Sequence, residues 1–262
     1  MQINTIWETI RRETAWFEPN GESPFQQLVI PPGHYYPRMA RPIDPHGFRE
    51  IDPTPLDQMY AATTAVATGQ LAVLTRDLER IFQTVHPNPE NFGVYGHDIR
   101  NLLILACTEV EAQWRGVLTA NGMEGKNFST KDYFALKGTM KLDEYSVAFP
   151  SYPWIPQSNP FRDWLLEKPT QSLAWYDAYN AAKHNREQAF DRANLRHALD
   201  AVSACAVLLV AQFGESAESW KRSDAHTFYQ FTKVPSWAPV ERYFSSYEFV
   251  GAWKPMNFSF QR

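Results

Sequence analysis

Cysteine is scarce in this chain, with two cysteines among 262 residues. Cys107 and Cys205 each lie inside a strongly apolar stretch with helical spacing, where cysteine behaves as a small hydrophobic residue. We therefore expect both to be buried free thiols. No CxxC pair and no Cys/His spacing typical of a zinc site is present. The sequence predicts no bound metal and indicates no cofactor.

Long uninterrupted apolar runs are also missing. Residues 1–17 carry four charged side chains and no continuous apolar core, which is unlike a secretory signal. The most apolar run, 198–213, is interrupted by Asp200 and Ser203 and is too short to span a membrane comfortably. We therefore expect a soluble, cytoplasmic protein with no membrane partner.

Positive charge is not in excess, since 25 Lys and Arg face 29 Asp and Glu, for a net charge of −4. Broad nonspecific nucleic-acid binding needs a basic surface, so this class is disfavoured, whereas a local basic groove remains compatible. The P-loop, Rossmann, serine-hydrolase, HExxH and EF-hand patterns are all absent. Aromatic residues are abundant, at 15%, which predicts a core built from large rings or an aromatic surface for a partner.

Proline content divides the chain into three parts. Residues 1–55 hold about half of the nineteen prolines and are predicted to be an irregular arm packed on the body. Residues 56–214 are predicted to be a helical domain with a Pro- and aromatic-rich insertion near 143–165, and residues 215–262 an irregular aromatic segment. Several arm side chains could contact nucleic acid or a partner, but we favour the interpretation that they hold the arm against the body. These are His34, Tyr35, Tyr36, Arg38, His46 and Arg49.

Hydrophobic periodicity predicts four helices, at about 55–84, 97–120, 172–189 and 191–213. Asp191 is the expected N-cap of the last helix and Gly214 its C-terminal stop. Because this helix is apolar on both faces, we expect it at the centre of a mainly α, antiparallel four- or five-helix bundle. Strands are limited to a short strand or hairpin at 145–149 and one within 243–253.

One stretch on the third helix, residues 175–186, concentrates the chemically versatile side chains. Residues four apart share a helix face, which places these side chains in two neighbouring stripes. The stripes are Tyr176, Asn180 and His184, and Tyr179, Lys183 and Arg186. An imidazole beside two fixed positive charges can bind a phosphodiester and move a proton next to it. The structural alternative is that the rings pack in the core and the cations sit at a helix end, where they suit the helix dipole.

The arrangement of this stretch and its neighbours carries a family resemblance. It combines RNLLILACTEVE at 100–111, NPFRDW at 159–164 and the string Tyr-Asn-x-x-Lys-His-x-Arg at 179–186. Over about 90–214 the chain is similar to a group of bacterial proteins that resemble the HEPN superfamily of nucleotide-binding helical domains. Catalytic members of that superfamily are metal-independent ribonucleases with an Arg-Asn-x-x-x-His motif, typically used as dimers. Asn180 and His184 match that motif, and Tyr179 occupies its arginine position.

The resemblance implies an RNA-directed endoribonuclease, serving bacterial stress response or phage defence, that works as a homodimer or as a subunit of a larger complex. His184 would act as general acid or base at the ribose 2′-hydroxyl and Asn180 would orient it. Lys183 and Arg186 would hold the phosphate, since Tyr179 cannot supply the bidentate grip of an arginine. That substitution favours the alternative hypothesis, a non-catalytic module or structural subunit that binds a protein or a nucleotide.

Further side chains are candidates for supporting roles. Tyr176, Tyr179 and Glu109 are predicted to line the substrate site, with Glu109 reaching His184 from the second helix as an orienting carboxylate. Glu109 and Glu111 are not expected to act as a carboxylate pair, because residues two apart on a helix point to nearly opposite sides. Glu111 is expected to pair with Arg115, four residues further along the same helix. His97 and Arg100 are candidates for an anion site, and Arg192 and His197 for a rival Arg/His catalytic site. For both pairs we expect a structural role at the start of a helix instead.

Overall fold

A computed structural model describes residues 3–13, 26–41, 59–125, 127–185, 187–215, 217–244 and 253–258. The helices are α1 (Ile3–Glu13), α2 (Ala61–Phe82), α3 (His97–Ala120), α4 (Thr130–Thr139), α5 (Ala174–His184), α6 (Leu195–Phe213), α7 (Glu218–Lys221) and α8 (Asp224–Phe228). The strands are β1 (His34–Tyr35), β2 (Ser146–Ala148), β3 (Gln230–Lys233) and β4 (Lys254–Pro255). Single 3₁₀ turns occupy Pro89–Asn91, Leu142–Glu144 and Pro239–Glu241. The protein is mainly α-helical, as the sequence predicts.

The helix bounds are confirmed in part. Helix α3 has the predicted bounds, but α5 ends at His184 because Asn185 leaves the helical region at φ −135°. The prediction of Asp191 as an N-cap is wrong. Asn194 caps α6 instead, since its backbone is extended and its side chain accepts a hydrogen bond from the His197 N–H at 3.1 Å.

Helix α4 was not predicted, and neither were α1, α7 and α8, which lie in the segments 1–55 and 215–262 that were expected to be irregular. The N-cap of α4 is Ser129, whose backbone N–H and hydroxyl both donate to Asp132 Oδ2, at 2.8 and 2.7 Å. This Ser-x-x-Asp pattern is the local signal for a helix start that the sequence contained. The helix was missed because its apolar residues follow no clear helical period and because Gly138 lies near its end.

Helix α6 is the most buried element, with sixteen of its nineteen residues buried. It packs against α2, α3 and α5. By length and composition it is apolar enough to cross a membrane, and 83% of its most apolar window is buried within the protein. Such burial is typical of a core helix. Cys107 on α3 and Cys205 on α6 are buried free thiols, as predicted.

The strands form two small sheets. The strand predicted at 145–149 is confirmed as β2, and it pairs antiparallel with β3 from the C-terminal part of the chain. Strand β1 pairs in parallel with β4, with His34 opposite Lys254. The strand predicted within 243–253 falls mostly on 245–252, outside the described residues.

The described part of the arm, residues 26–41, lies across the C-terminal ends of α3 and α6. The Ala40 N–H donates to the Ala211 carbonyl at 2.9 Å, and Asn121 Nδ2 donates to the Pro37 carbonyl at 2.8 Å. Arg38 adopts a left-handed backbone (φ 55°), which is strained for a residue with a side chain. Its side chain donates from Nε to Gln212 Oε1 at 2.8 Å, which ties the arm to α6. His46 and Arg49 lie outside the described residues.

Gly116 on α3 makes room for this arginine. A Cβ atom at Gly116 would lie 1.9 Å from Arg38 Nη1, whereas a Cβ at Gly69 on α2 would meet nothing within 4 Å. Alanine normally stabilises a helix interior by up to about 1 kcal/mol over glycine. We expect Gly69→Ala to show that gain. Gly116→Ala is expected to lower the free energy of unfolding instead, by about 1–3 kcal/mol, because the Arg38 guanidinium must move away and give up its hydrogen bond to buried Gln212.

Urea unfolding of the two variants measures this difference in sign. Gly69→Ala serves as the control, because it carries the same change in helix propensity at an open position. A Gly116→Ala protein as stable as Gly69→Ala would contradict the role assigned to Gly116.

Candidate functional site

The predicted site stretch lies on α5, which packs against α3 and α6. Trp175, Tyr176 and Tyr179 are buried, and the exposed side chains gather at the C-terminal end of the helix. The alanines of α5 favour the helix, and two of them, Ala178 and Ala182, are fully buried. The helix therefore presents aromatic rings to the core and cations at its end.

The Tyr176 hydroxyl donates to Glu111 Oε1 at 2.8 Å. Burial, and next the hydrogen bond to Glu111, raise the pKa of Tyr176 well above its usual range. Tyr176 therefore remains a neutral donor at physiological pH. Its ring also lies 5.5 Å from the ring of Trp114, in an edge-on contact. The structure places this predicted substrate-binding residue in the α3–α5 interface.

Tyr179 fills the position where the HEPN motif has arginine, and it holds the neighbouring cation. Lys183 Nζ donates to the Tyr179 hydroxyl at 2.9 Å and lies 5.1 Å from the Tyr179 ring centroid. The hydrogen bond raises the pKa of Lys183, so the exposed ammonium group stays charged at neutral pH. A buried phenol thus positions an exposed positive charge.

Of the remaining motif residues, Asn180 bonds to the backbone of its own helix and His184 faces solvent. Asn180 Nδ2 donates to the Tyr176 carbonyl of the same helix at 3.0 Å. His184, the last residue of α5, is exposed, and its imidazole makes no hydrogen bond to any residue the structure describes. Arg186 lies outside the described residues. Lys183 and His184 are therefore the motif side chains that share the exposed end of α5.

Glu109 takes part in a different group of contacts. Its carboxylate accepts a hydrogen bond from Gln113 Nε2. Gln113 Oε1 accepts a hydrogen bond from Gln212 Nε2, and Gln212 Oε1 accepts one from Arg38 Nε. Burial raises the pKa of Glu109, and the Gln113 hydrogen bond and the Arg38 charge act in the opposite direction. The carboxylate that reaches α5 is Glu111, two residues further along α3.

Two more elements meet the end of α5. Arg100 Nη2 donates to the Ala182 carbonyl at 3.3 Å, so Arg100 caps the C-terminus of α5 from the first turn of α3. The ring of Phe190, in the turns after α5, lies 5.1 Å from the His97 ring and 5.7 Å from the Tyr95 ring. Tyr95 is 52% exposed. Sequence reasoning missed Tyr95 and Phe190, although both are aromatic residues in loops next to helix ends.

The side chains at this end of the molecule will be called the basic-aromatic surface. They are Tyr95, His97, Arg100, Lys183, His184 and Phe190.

Two nearby arginines are neutralised by carboxylates. Arg192 Nη2 lies 2.5 Å from Asp177 Oδ2, and Arg196 Nε lies 2.7 Å from Asp200 Oδ2. His197 Nδ1 lies 2.7 Å from the Arg192 carbonyl, so the Arg192/His197 pair has the structural role expected at the start of α6. In contrast, the cations of the basic-aromatic surface form no salt bridge with any described residue.

No family model, no curated protein and no solved structure matches this chain. The HEPN resemblance thus rests on the residue pattern alone and remains a prediction. Among the described residues, no group of three or more His, Cys, Asp and Glu side chains is placed to hold a metal ion. Within the described part of the chain, the basic-aromatic surface offers a lysine, an arginine, two imidazoles and aromatic rings.

Proposed function

We propose that this protein is a cytoplasmic, HEPN-like module that binds single-stranded RNA at the basic-aromatic surface without cleaving it. The observation that carries the proposal is the pairing of Lys183 with the Tyr179 hydroxyl. It fixes a positive charge beside exposed His184 at the end of α5. Arg100 links this end of α5 to α3.

The chemistry of this surface suits a single strand. Phosphates interact with fixed cations, and Lys183 and Arg100 supply two. Unstacked bases pack on aromatic side chains. The exposed Tyr95 ring, which packs against Phe190, offers such a surface at the same end of the molecule. The limited number of cations agrees with the acidic net charge of the chain, because a small local site needs no general excess of Lys and Arg.

Two contacts favour binding over turnover. The Asn180 amide donates one hydrogen bond to a backbone carbonyl of its own helix, which holds the side chain along α5. Tyr179 is buried, its hydroxyl accepts a hydrogen bond from Lys183, and a phenol cannot donate two hydrogen bonds to a scissile phosphate as an arginine can. The ribonuclease hypothesis stays as the second candidate because His184 is exposed and available to act as acid or base.

The assembly proposal follows from the same resemblance. We infer that α2, α3, α5 and α6 form the antiparallel bundle of a HEPN-like domain, and that two chains pair in solution. Light scattering measures the mass of the particle. A monomer at micromolar concentration, with no stable partner in a pull-down, would contradict the pairing.

Charge reversal at Lys183 tests RNA binding. We expect Lys183→Glu to weaken binding of a labelled single-stranded RNA at least about tenfold at low salt, and to reduce the salt slope by about one or more, since a phosphate contact is lost. Fluorescence anisotropy at several salt concentrations gives both values. Lys221→Glu, the same change at an exposed lysine of α7, is the matched control. Equal losses in the two variants would mean that the effect is general electrostatics.

His184→Ala separates binding from catalysis. We expect the wild-type protein to leave the RNA intact in EDTA, and the variant to keep its thermal midpoint within a few degrees, because an exposed imidazole contributes little stability. Cleavage by the wild type that falls about 10²–10⁴-fold in His184→Ala would replace the binding proposal with the ribonuclease hypothesis.

A further inference from the structure

A cavity of about 1060 Å³ lies between α4, the loop that precedes it and Phe258, near the C-terminus. Drug-sized ligands occupy cavities of about 300–1,000 Å³, so the space is large enough for a small organic molecule. None of its lining residues belongs to the basic-aromatic surface. Its apolar lining is formed by Met123, Phe128, Phe134, Ala135, Leu166 and Phe258.

The three phenylalanine rings of the cavity are each anchored by another aromatic ring. Phe134 packs edge-on against Trp164 with ring centroids 5.4 Å apart, and Phe258 packs edge-on against Tyr36 at 5.4 Å. Phe128 packs against Tyr133 at 6.3 Å. Because each of these rings packs against another aromatic ring, the aromatic lining of the cavity is in place without a ligand.

Gly138 supplies a second observation. It lies in α4 and lines the cavity, and a Cβ atom at this position would meet nothing within 4 Å. Glycine is among the poorest helix formers, and no packing contact requires it here. Its effect is to leave the α4 backbone open to close approach from the cavity.

The charged groups of the cavity lining are one lysine and two carboxylates. Lys131 and Glu124 are exposed, and Asp132 Oδ2 accepts two hydrogen bonds from Ser129. Because the lining has no excess of positive charge and its rings are apolar, the cavity favours an uncharged ligand over an anion. Phenyl rings gain most from stacked or edge-on contacts with another aromatic ring, which favours a flat aromatic ligand over a saturated chain.

We propose that this cavity is a binding site for an uncharged, flat aromatic compound of two or three rings. The ligand lies against the Gly138 backbone and contacts the Phe128, Phe134 and Phe258 rings.

Fluorescence titration of the full chain with N-phenyl-1-naphthylamine, an uncharged aromatic probe, tests the site. We expect saturable binding of one probe per chain. Gly138→Leu should weaken it at least about tenfold, because the leucine side chain fills the open space that the ligand needs. Gly138→Ala should give a smaller loss in the same direction, and it preserves the test if the leucine variant fails to fold.

Gly69→Leu is the matched control, because Gly69 is also a helix glycine whose Cβ would meet nothing within 4 Å. Its probe affinity should equal that of the wild type. Binding that does not saturate, or that is unchanged in both Gly138 variants, would overturn the site. Displacement of the probe by naphthalene supports the aromatic class, whereas displacement by laurate but not by naphthalene would overturn it in favour of an acyl chain.

Discussion

Trp114→Ala is expected to lower the free energy of unfolding by about 3–5 kcal/mol, the range found when a large aromatic side chain is removed from a core. The Trp114 ring on α3 has 0% of its surface exposed. It stacks on Tyr133 and on Trp164, each at a centroid distance of 5.0 Å, and contacts Tyr176 edge-on. Because three separate segments pack against one ring, the space it leaves cannot be filled by a single neighbour.

Guanidinium unfolding and the thermal midpoint measure the loss. With about 2–4 °C per kcal/mol for a chain of this size, the midpoint should fall by roughly 6–20 °C. Trp154→Ala is the matched control, since Trp154 is 46% exposed and its ring stacks mainly on His86. We expect that variant to lose no more than about 1 kcal/mol. Similar losses in the two variants would show that the Trp114 ring is not the centre of the aromatic core.

Arg38→Met is expected to lower the free energy of unfolding by about 2–4 kcal/mol at pH 7, because it leaves buried polar partners unsatisfied. Gln212 Oε1 loses the Arg38 donor, and Glu109 loses a nearby positive charge. Methionine keeps most of the apolar stem of the side chain and removes the guanidinium group, which lies against Gly116. The loss should therefore come from the missing charge and hydrogen bond.

The pH dependence of this loss follows from Glu109. Burial raises the pKa of Glu109 above its usual 4.5, so the folded protein holds that proton more tightly than the unfolded chain. Such a group favours the folded state fully below 4.5, and that contribution is lost as the pH rises through the folded pKa. Without Arg38 the pKa of Glu109 rises further. The deficit of Arg38→Met should therefore be largest at pH 7 and shrink toward pH 5.

Urea unfolding at pH 7, 6 and 5 measures the size of the stability loss in Arg38→Met and the direction in which it changes with pH. Adding Glu109→Gln to Arg38→Met should recover part of the stability at pH 7 and remove most of its dependence on pH. Arg76→Met, at an exposed arginine of α2, should change stability by less than about 0.5 kcal/mol. A deficit that grows as the pH falls would contradict the assignment to Glu109.

Local chemistry along the chain is enough to predict several features of this protein. The bounds of α3 follow from apolar residues three and four positions apart and from the Asn121-Gly122 stop. The burial of Cys107 and Cys205 follows from the apolar stretches around them. The clustering of Lys183 and His184 at one helix end follows from their positions in the chain. Each of these depends on residues within a few turns of one another.

For α5, the contacts between helices decide which face meets the core. The four-residue spacing of Tyr176 and Asn180 predicts that they share a face of α5. The packing of α5 on α3 decides that Tyr176 is buried and that its hydroxyl donates to Glu111. The pairing of β2 with β3 joins residues more than eighty positions apart, and the cavity joins Phe128 to Phe258. Such contacts depend on the relative placement of distant segments, which no local pattern encodes.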